Sequence, residues 1–254
     1  MTETEHNENL GLRAASASRT GVREHNMDAA YVFASETGAI AAAVVDGIGN
    51  AQSGPEVMKH LAMTAARTAV RRGVRAGVLA AAAQIEDAGA DEYVPDGVLV
   101  VAVVEPDPAH TTRIGWVGDS HAYGWDGTTL RRYSTPQTMG EFLRRNGDAD
   151  SAIDHDNWVT VSLSTAHVST VAEDGIPGDQ LVLLVSDGLD GVPHDELHDL
   201  VAEHHGDPQI LADAIVNAAR EDHENYRDDA TAVVITRTPA PHDPADDPAS
   251  APTE

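Results

Sequence analysis

Ala41-Ala-Ala-Val-Val-Asp46-Gly47-Ile48-Gly49-Asn50 carries an apolar run into an aspartate and a glycine turn. The device recurs at Leu181-Val-Leu-Leu-Val-Ser-Asp187-Gly188-Leu189, and Arg227-Asp228-Asp229-Ala-Thr-Ala-Val-Val-Ile235 sets two aspartates just ahead of a third run. Short apolar runs bounded by turn residues read as buried strands. Taken alone, an Asp-Gly pair is an ordinary turn. A carboxylate is costly to bury alone, so aspartates gathered at strand ends either stay in water or hold a cation. Three such ends, converging, make a hard-metal site, because Mg2+ and Mn2+ prefer oxygen ligands.

Outward from these runs, strand signals rich in Val, Ile, Tyr or Trp cover 29–34, 39–45, 97–105, 112–117, 122–125, 129–133, 158–163, 180–185 and 230–236. Asp126-Gly127 makes a hairpin turn between two of them. Helical patterns cover 55–72, where Pro55 suits a first-turn position, and 75–87, 138–146, 195–204 and 207–222. Helix pairs amid many antiparallel-type strands predict an α+β domain in αββα layers, not the regular alternation of a doubly wound sheet.

The chain of 254 residues is 41% hydrophobic, enough for a core, and contains no cysteine. Disulfides, thiolate metal sites and a cysteine nucleophile are therefore excluded. A net charge of −26 excludes a basic nucleic-acid footprint and is equally poor for an anionic membrane surface. The first residues lack a basic and an apolar signal region, and no apolar run approaches the ~18–20 residues of a membrane span, so a cytoplasmic protein is expected. Residues 1–10 and the Pro/Ala/Asp-rich 238–254 are expected to be disordered tails around one domain over 11–237.

Five short motifs, in order, resemble those of the metal-dependent (PPM-type) serine/threonine protein phosphatases, the protein phosphatase 2C family. Arg23-Glu24-His25-Asn26-Met27-Asp28 is similar to R-x-x-N-E-D, and Asp46-Gly47-Ile48-Gly49-Asn50 to D-G-x-G-G. Val117-Gly118-Asp119-Ser120-His121-Ala122-Tyr123 is similar to V-G-D-S-R-A-Y. Pro177-Gly178-Asp179, the following run with Ser186-Asp187-Gly188, and Asp228-Asp229-Ala230-Thr231 complete the series, so the resemblance spans about 12–237. It implies a four-layer αββα sandwich of two central antiparallel sheets flanked by helices, with a metal pair between the sheets at one end. It further implies that Asp46 bridges two Mn2+ or Mg2+ ions and that Asp187 and Asp228 ligate the first. Gly47 would offer its carbonyl to the second, Asp28 would act through water, and Arg23 would bind the phosphate. A water bridging the ions would attack phosphorus in line. Asp119 matches one ligand of a third ion; its usual companion position is Gly191, with Asp190 one residue early, so two ions are expected.

Other positions depart from the family pattern. Met27 stands for a glutamate, Asn50 for a glycine and His121 for an arginine. Ile48 stands where some members carry a histidine, and Val98-Leu99 replace small hydroxyl residues. The resemblance implies a phosphoserine/phosphothreonine protein phosphatase, monomeric, whose partners are phosphorylated proteins, a Ser/Thr kinase or its targets, in signal transduction. The accumulated departures support an alternative, a pseudophosphatase or weakly active phosphoprotein-binding regulator. Residues 135–169 lie where the family has a variable flap; Phe142 and Trp158 are expected there as core residues. Residues 148–156 lack the oxygen ligand and glycine of a calcium loop and read as a solvated loop.

Overall fold

The computed structural model describes residues 11–49, 52–85, 95–221 and 226–238. The expected tails, except Thr238, and Asn50 lie outside the described residues. Among the described residues ten strands form two antiparallel five-stranded sheets. The first has the order β1-β10-β9-β6-β7, from Leu12–Arg19, Ala230–Arg237, Leu181–Val185, His121–Trp125 and Leu130–Arg132. The second has the order β2-β3-β4-β5-β8, from Asp28–Ala34, Ile40–Ile48, Asp96–Val104, Thr112–Val117 and Ala172–Ile176.

The sheets stack face to face, and helices cover both outer faces. In β3, Ala41, Ala43 and Val45 face helices α1 (Gly54–Arg72) and α2 (Val74–Ala82), packing on Met58, Leu61 and Val78. The alternate residues Ile40, Ala42 and Val44 face the other sheet, meeting Val182, Leu184, Val233 and Ile235. On the far side, Leu183, Val185 and Val234 pack under helices α5 (His194–His204) and α6 (Pro208–Asn217) through Leu197, Val201, Leu211 and Ile215. This is why the central strands are apolar without alternation: each has two buried faces, and each fully buried Val, Leu or Ile contributes about 1.5–3 kcal/mol.

Local signals place the helices. Pro55 sits in the first turn of α1, with Glu56 beside it and Arg71 and Arg72 in the last turn, matching the helix dipole. Asp207 caps α6 by accepting from Gln209 N and Ile210 N. Thr138 caps helix α3 (Met139–Arg145) by accepting from Glu141 N. The Asp126-Gly127 turn joins β6 to β7, with Gly127 at φ 99°.

Three expectations are corrected. Residues 158–163 are no strand: Val159 makes one isolated bridge to Thr138, and the chain enters a 3-10 turn at Leu163–Thr165. Within 148–156, Asp148 caps a short helix, α4 (Ala149–Ala152), by accepting from Ser151 N, followed by another 3-10 turn. Phe142 and Trp158 are each 58% exposed, so neither is core; Trp158 stacks on His155. Edge strands β1 and β8 were not anticipated, α2 is helical only to Ala82 and α6 only to Asn217.

Candidate metal centre

The layer between the sheets turns polar at one end. Strand alternation carries Asp46 onto the same inward face as Val44, and antiparallel register sets Asp28 directly opposite it. Ser186 follows Leu184 on the inward face of β9, and its hydroxyl donates to Asp28 Oδ2 at 2.6 Å. Thr231 follows from the inward face of β10, and the Ser18 and Thr231 hydroxyls bond at 2.7 Å. Asp187 sits just beyond β9, in a 3-10 turn. A β-carbon at Gly188 would come within 1.9 Å of the Asp229 carbonyl, so glycine is required for this turn to lie against the start of β10.

Asp46, Asp119, Asp187 and Asp228 line one cleft of about 490 Å3 together with Arg23, Gly47, Ile48, Val98, Asp190, Arg220 and Tyr226. Asp28 lies behind Asp46, 8% exposed. All seven anticipated site residues are thus brought to one end of the sandwich. Gly118, at φ 89°, turns the chain into Asp119, and a β-carbon there would overlap Val98.

Crowded carboxyls resist ionisation. Burial, reinforced by Asp187 and Asp28, holds the Asp46 carboxyl well above the usual carboxylate range. Burial lifts Asp28 to about 7 despite the Ser186 hydrogen bond. Burial, with Asp187 and Asp190 adding, lifts Asp119 to about 8. Burial and Asp187 lift Asp228 to about 6 against the opposing pull of Arg23. Asp187 is raised by burial, an effect opposed by a side-chain hydrogen bond from Asp46.

The donor chemistry fits a hard divalent cation: the groups are oxygens, several are buried, and Asp28 Oδ1 and Asp187 Oδ1 are wholly buried without a partner. Among the described residues, no three acidic or histidine side chains already enclose an ion.

Arg23 is clamped at three points. Its Nε donates to Tyr226 Oη at 2.8 Å, and Nη1 donates to the Gly47 carbonyl at 3.2 Å. Nη2 lies 2.8 and 2.9 Å from the two Asp228 oxygens. The supporting loop is held by Asp229, which is fully buried. Its Oδ1 accepts from Gly21 N and its Oδ2 from Met27 N, both at 2.7 Å. Asp229, Ser186, Tyr226 and Arg220 were not among the anticipated site residues. For Asp229 a signal existed: it is in phase with inward-facing Thr231, Val233 and Ile235, whereas Asp228 is not.

The departing positions have physical settings. Met27 is fully buried, its thioether end filling the space a β-carbon at Gly54 would need. His121, buried, donates from Nε2 to Asp190 Oδ1 at 2.7 Å, so Asp190 is already engaged. Gly191 leaves space beside Arg220.

No protein-family profile and no curated protein sequence matches the chain. Solved structures do. The chain is similar to the PPM Ser-Thr phosphatase MsPP from Mycobacterium smegmatis, solved in complex with cacodylate, at 24% identity and TM-score 0.70 over 89% of this chain and 99% of that one. It is similar to the catalytic domain of the serine threonine protein phosphatase PstP, solved with two manganese ions, at 22% identity and TM-score 0.69 over 90% and 99%. The S. agalactiae serine/threonine phosphatase superposes with TM-score 0.74 at 14% identity over 89% and 99%. The chain therefore has the PPM phosphatase fold.

Proposed function

We propose that this protein is a metal-dependent phosphatase of phosphoserine and phosphothreonine in proteins. The observation that carries the reading is the gathering of Asp46, Asp119, Asp187 and Asp228, with Asp28 paired opposite Asp46, beside a clamped arginine in a cleft at the end of the inter-sheet layer. Support comes from the shared fold, because structures of that fold carry serine/threonine phosphatase names and one holds manganese.

In this reading Asp46, Asp187, Asp228, the Gly47 carbonyl and Asp28 (through water) would hold two Mn2+ or Mg2+ ions, with Asp46 shared between them. When bound, the ions supply a water activated for in-line attack on phosphorus. Arg23 offers a planar fork to the phosphoryl oxygens, with Tyr226 fixing its plane. Asp229 keeps the Arg23 loop in register with the carboxyls. Ser186 orients Asp28. Met27 brings no oxygen to the second ion, so that ion is the more weakly held of the two. With Asp190 tied to His121, a third ion is not part of the proposal.

The departures Met27, His121 and Gly191 surround the direct ligands and leave them intact, which favours turnover over a binding-only role. The physiological setting that follows is a soluble cytoplasmic signalling enzyme acting on a Ser/Thr kinase or its targets; among the described residues no helix is long and apolar enough to cross a membrane. The test is hydrolysis of p-nitrophenyl phosphate with added Mn2+. Turnover that Asp46→Asn abolishes supports the proposal; a wild-type rate no higher than that of Asp46→Asn overturns it.

A further inference from the structure

Among the described residues two side-chain cations line the cleft, Arg23 and Arg220, and of these Arg23 is bound up with the carboxyl cluster. Arg220 follows α6 and stands at Gly191, where a β-carbon would meet nothing nearer than the Arg220 β-carbon at 3.8 Å. Gly191 therefore puts no side chain beside the stem of Arg220. Its ion-pair partner is Glu196 on α5, and both side chains are substantially exposed, 48% and 38%. Exposed pairs of this kind are worth about 0–1 kcal/mol, so an incoming anion can displace Glu196 at little cost. Among the described residues the cleft's other charge-bearing side chains are Asp46, Asp119, Asp187, Asp190 and Asp228, so the two arginines are the side chains there that can pair with an acidic group of a substrate.

From this we infer that Arg220 is a specificity-determining residue that binds an acidic group beside the phosphorylated residue, so that the preferred substrate is a phosphopeptide with Asp, Glu or a second phosphoresidue next to the scissile phosphate. The inference rests on the phosphatase reading and names the substrate class of that same site. Arg23 takes the reacting phosphate, while Arg220, released from Glu196, takes the neighbouring charge.

The experiment uses the full chain with Mn2+ and phosphothreonine peptides that differ only in carrying Glu, Ala or Lys on either side of the phosphoresidue. Wild type favours the Glu over the Ala peptide in kcat/KM by about five-fold, expressed in KM. Arg220→Ala brings that ratio to about one, and Arg220→Glu inverts it toward the Lys peptide. A wild-type ratio near one, or a ratio unchanged in Arg220→Ala, overturns the assignment while p-nitrophenyl phosphate hydrolysis leaves the phosphatase reading standing. No hydrolysis of any substrate by wild type overturns both.

Discussion

Asp228 and Asp229 are neighbours in sequence with opposite duties. Asp228 faces the cleft and Arg23, while Asp229 points inward and accepts from two backbone amides. In Asp229→Asn one of those amides faces an NH2 group. The loss of a buried acceptor costs about 1–3 kcal/mol, to be read from urea unfolding midpoints, and the Arg23 loop loosens with it. A loss below a few tenths of that range would mean Asp229 is not the staple. Arg23 presents the opposite case. Its guanidinium now holds the Asp228 carboxylate and the Gly47 carbonyl, the same oxygens proposed for the ions. Arg23→Ala is therefore expected to tighten Mn2+ binding by about five-fold in calorimetric titration, because an opposing unit charge near 4 Å is worth about 1 kcal/mol even in water. Weaker binding in that variant would show that the guanidinium supports the site more than it competes with the ions. Sequence made the aspartates legible because Asp46 and Asp187 close apolar runs and Asp228 stands just ahead of one. Tyr226 and Arg220 were not legible: they belong to no run and reach the cleft from a loop and a helix end.

At the scale of elements, the central strands β3, β4, β9 and β10 were readable because burial on both faces leaves continuous Val, Leu, Ile and Ala. The edges were not. Strand β1 is LRAASASR and β8 is AEDGI, compositions with low β-propensity, and pairing to one neighbour places them. The opposite error occurred at 158–163, where Trp158, Val159 and Val161 have strand composition but no neighbouring strand beyond the single Thr138–Val159 bridge. Propensity describes a residue's fit to a pleated surface; it does not supply the partner strand. The turn after β9 is the element on which the site most depends. Gly188→Ala sets a β-carbon against the Asp229 carbonyl, a backbone atom that cannot swing aside. We expect a loss of about 3 kcal/mol in denaturant unfolding together with weakened Mn2+ binding, since Asp187 moves with the turn. Unchanged stability would show that the turn relaxes freely.

For the whole molecule, the carboxyl cluster works against the metal-free fold. Asp228, Asp28 and Asp119 rise from an ordinary 3.8 to about 6, 7 and 8. The folded state then retains protons that the unfolded chain has released. The contribution of these groups to stability is complete below about pH 4 and is lost as pH rises through 6 to 8. Metal-free protein should therefore melt lower at about pH 8.5 than at about pH 5, by at least about 5 °C in scanning calorimetry, and saturating Mn2+ should recover the difference. A melting temperature that climbs over that interval without metal would contradict the raised carboxyls. In a chain of net charge −26, Arg23 and Arg220 among the described residues line the carboxyl-rich cleft, where each can pair with negative charge on a phosphoprotein.

The turnover chemistry, the recovery of stability by Mn2+ and the competition between Arg23 and the ions all depend on one claim, that the polar end of the inter-sheet layer is a metal centre built around Asp46. Calorimetric titration of Mn2+ into wild type and Asp46→Asn measures it most directly. The account predicts two ions per chain in wild type, the second weaker, and loss of both in Asp46→Asn while its fold, read by circular dichroism, is retained. Absence of saturable heat in wild type at millimolar Mn2+, or equal binding by Asp46→Asn, would contradict it.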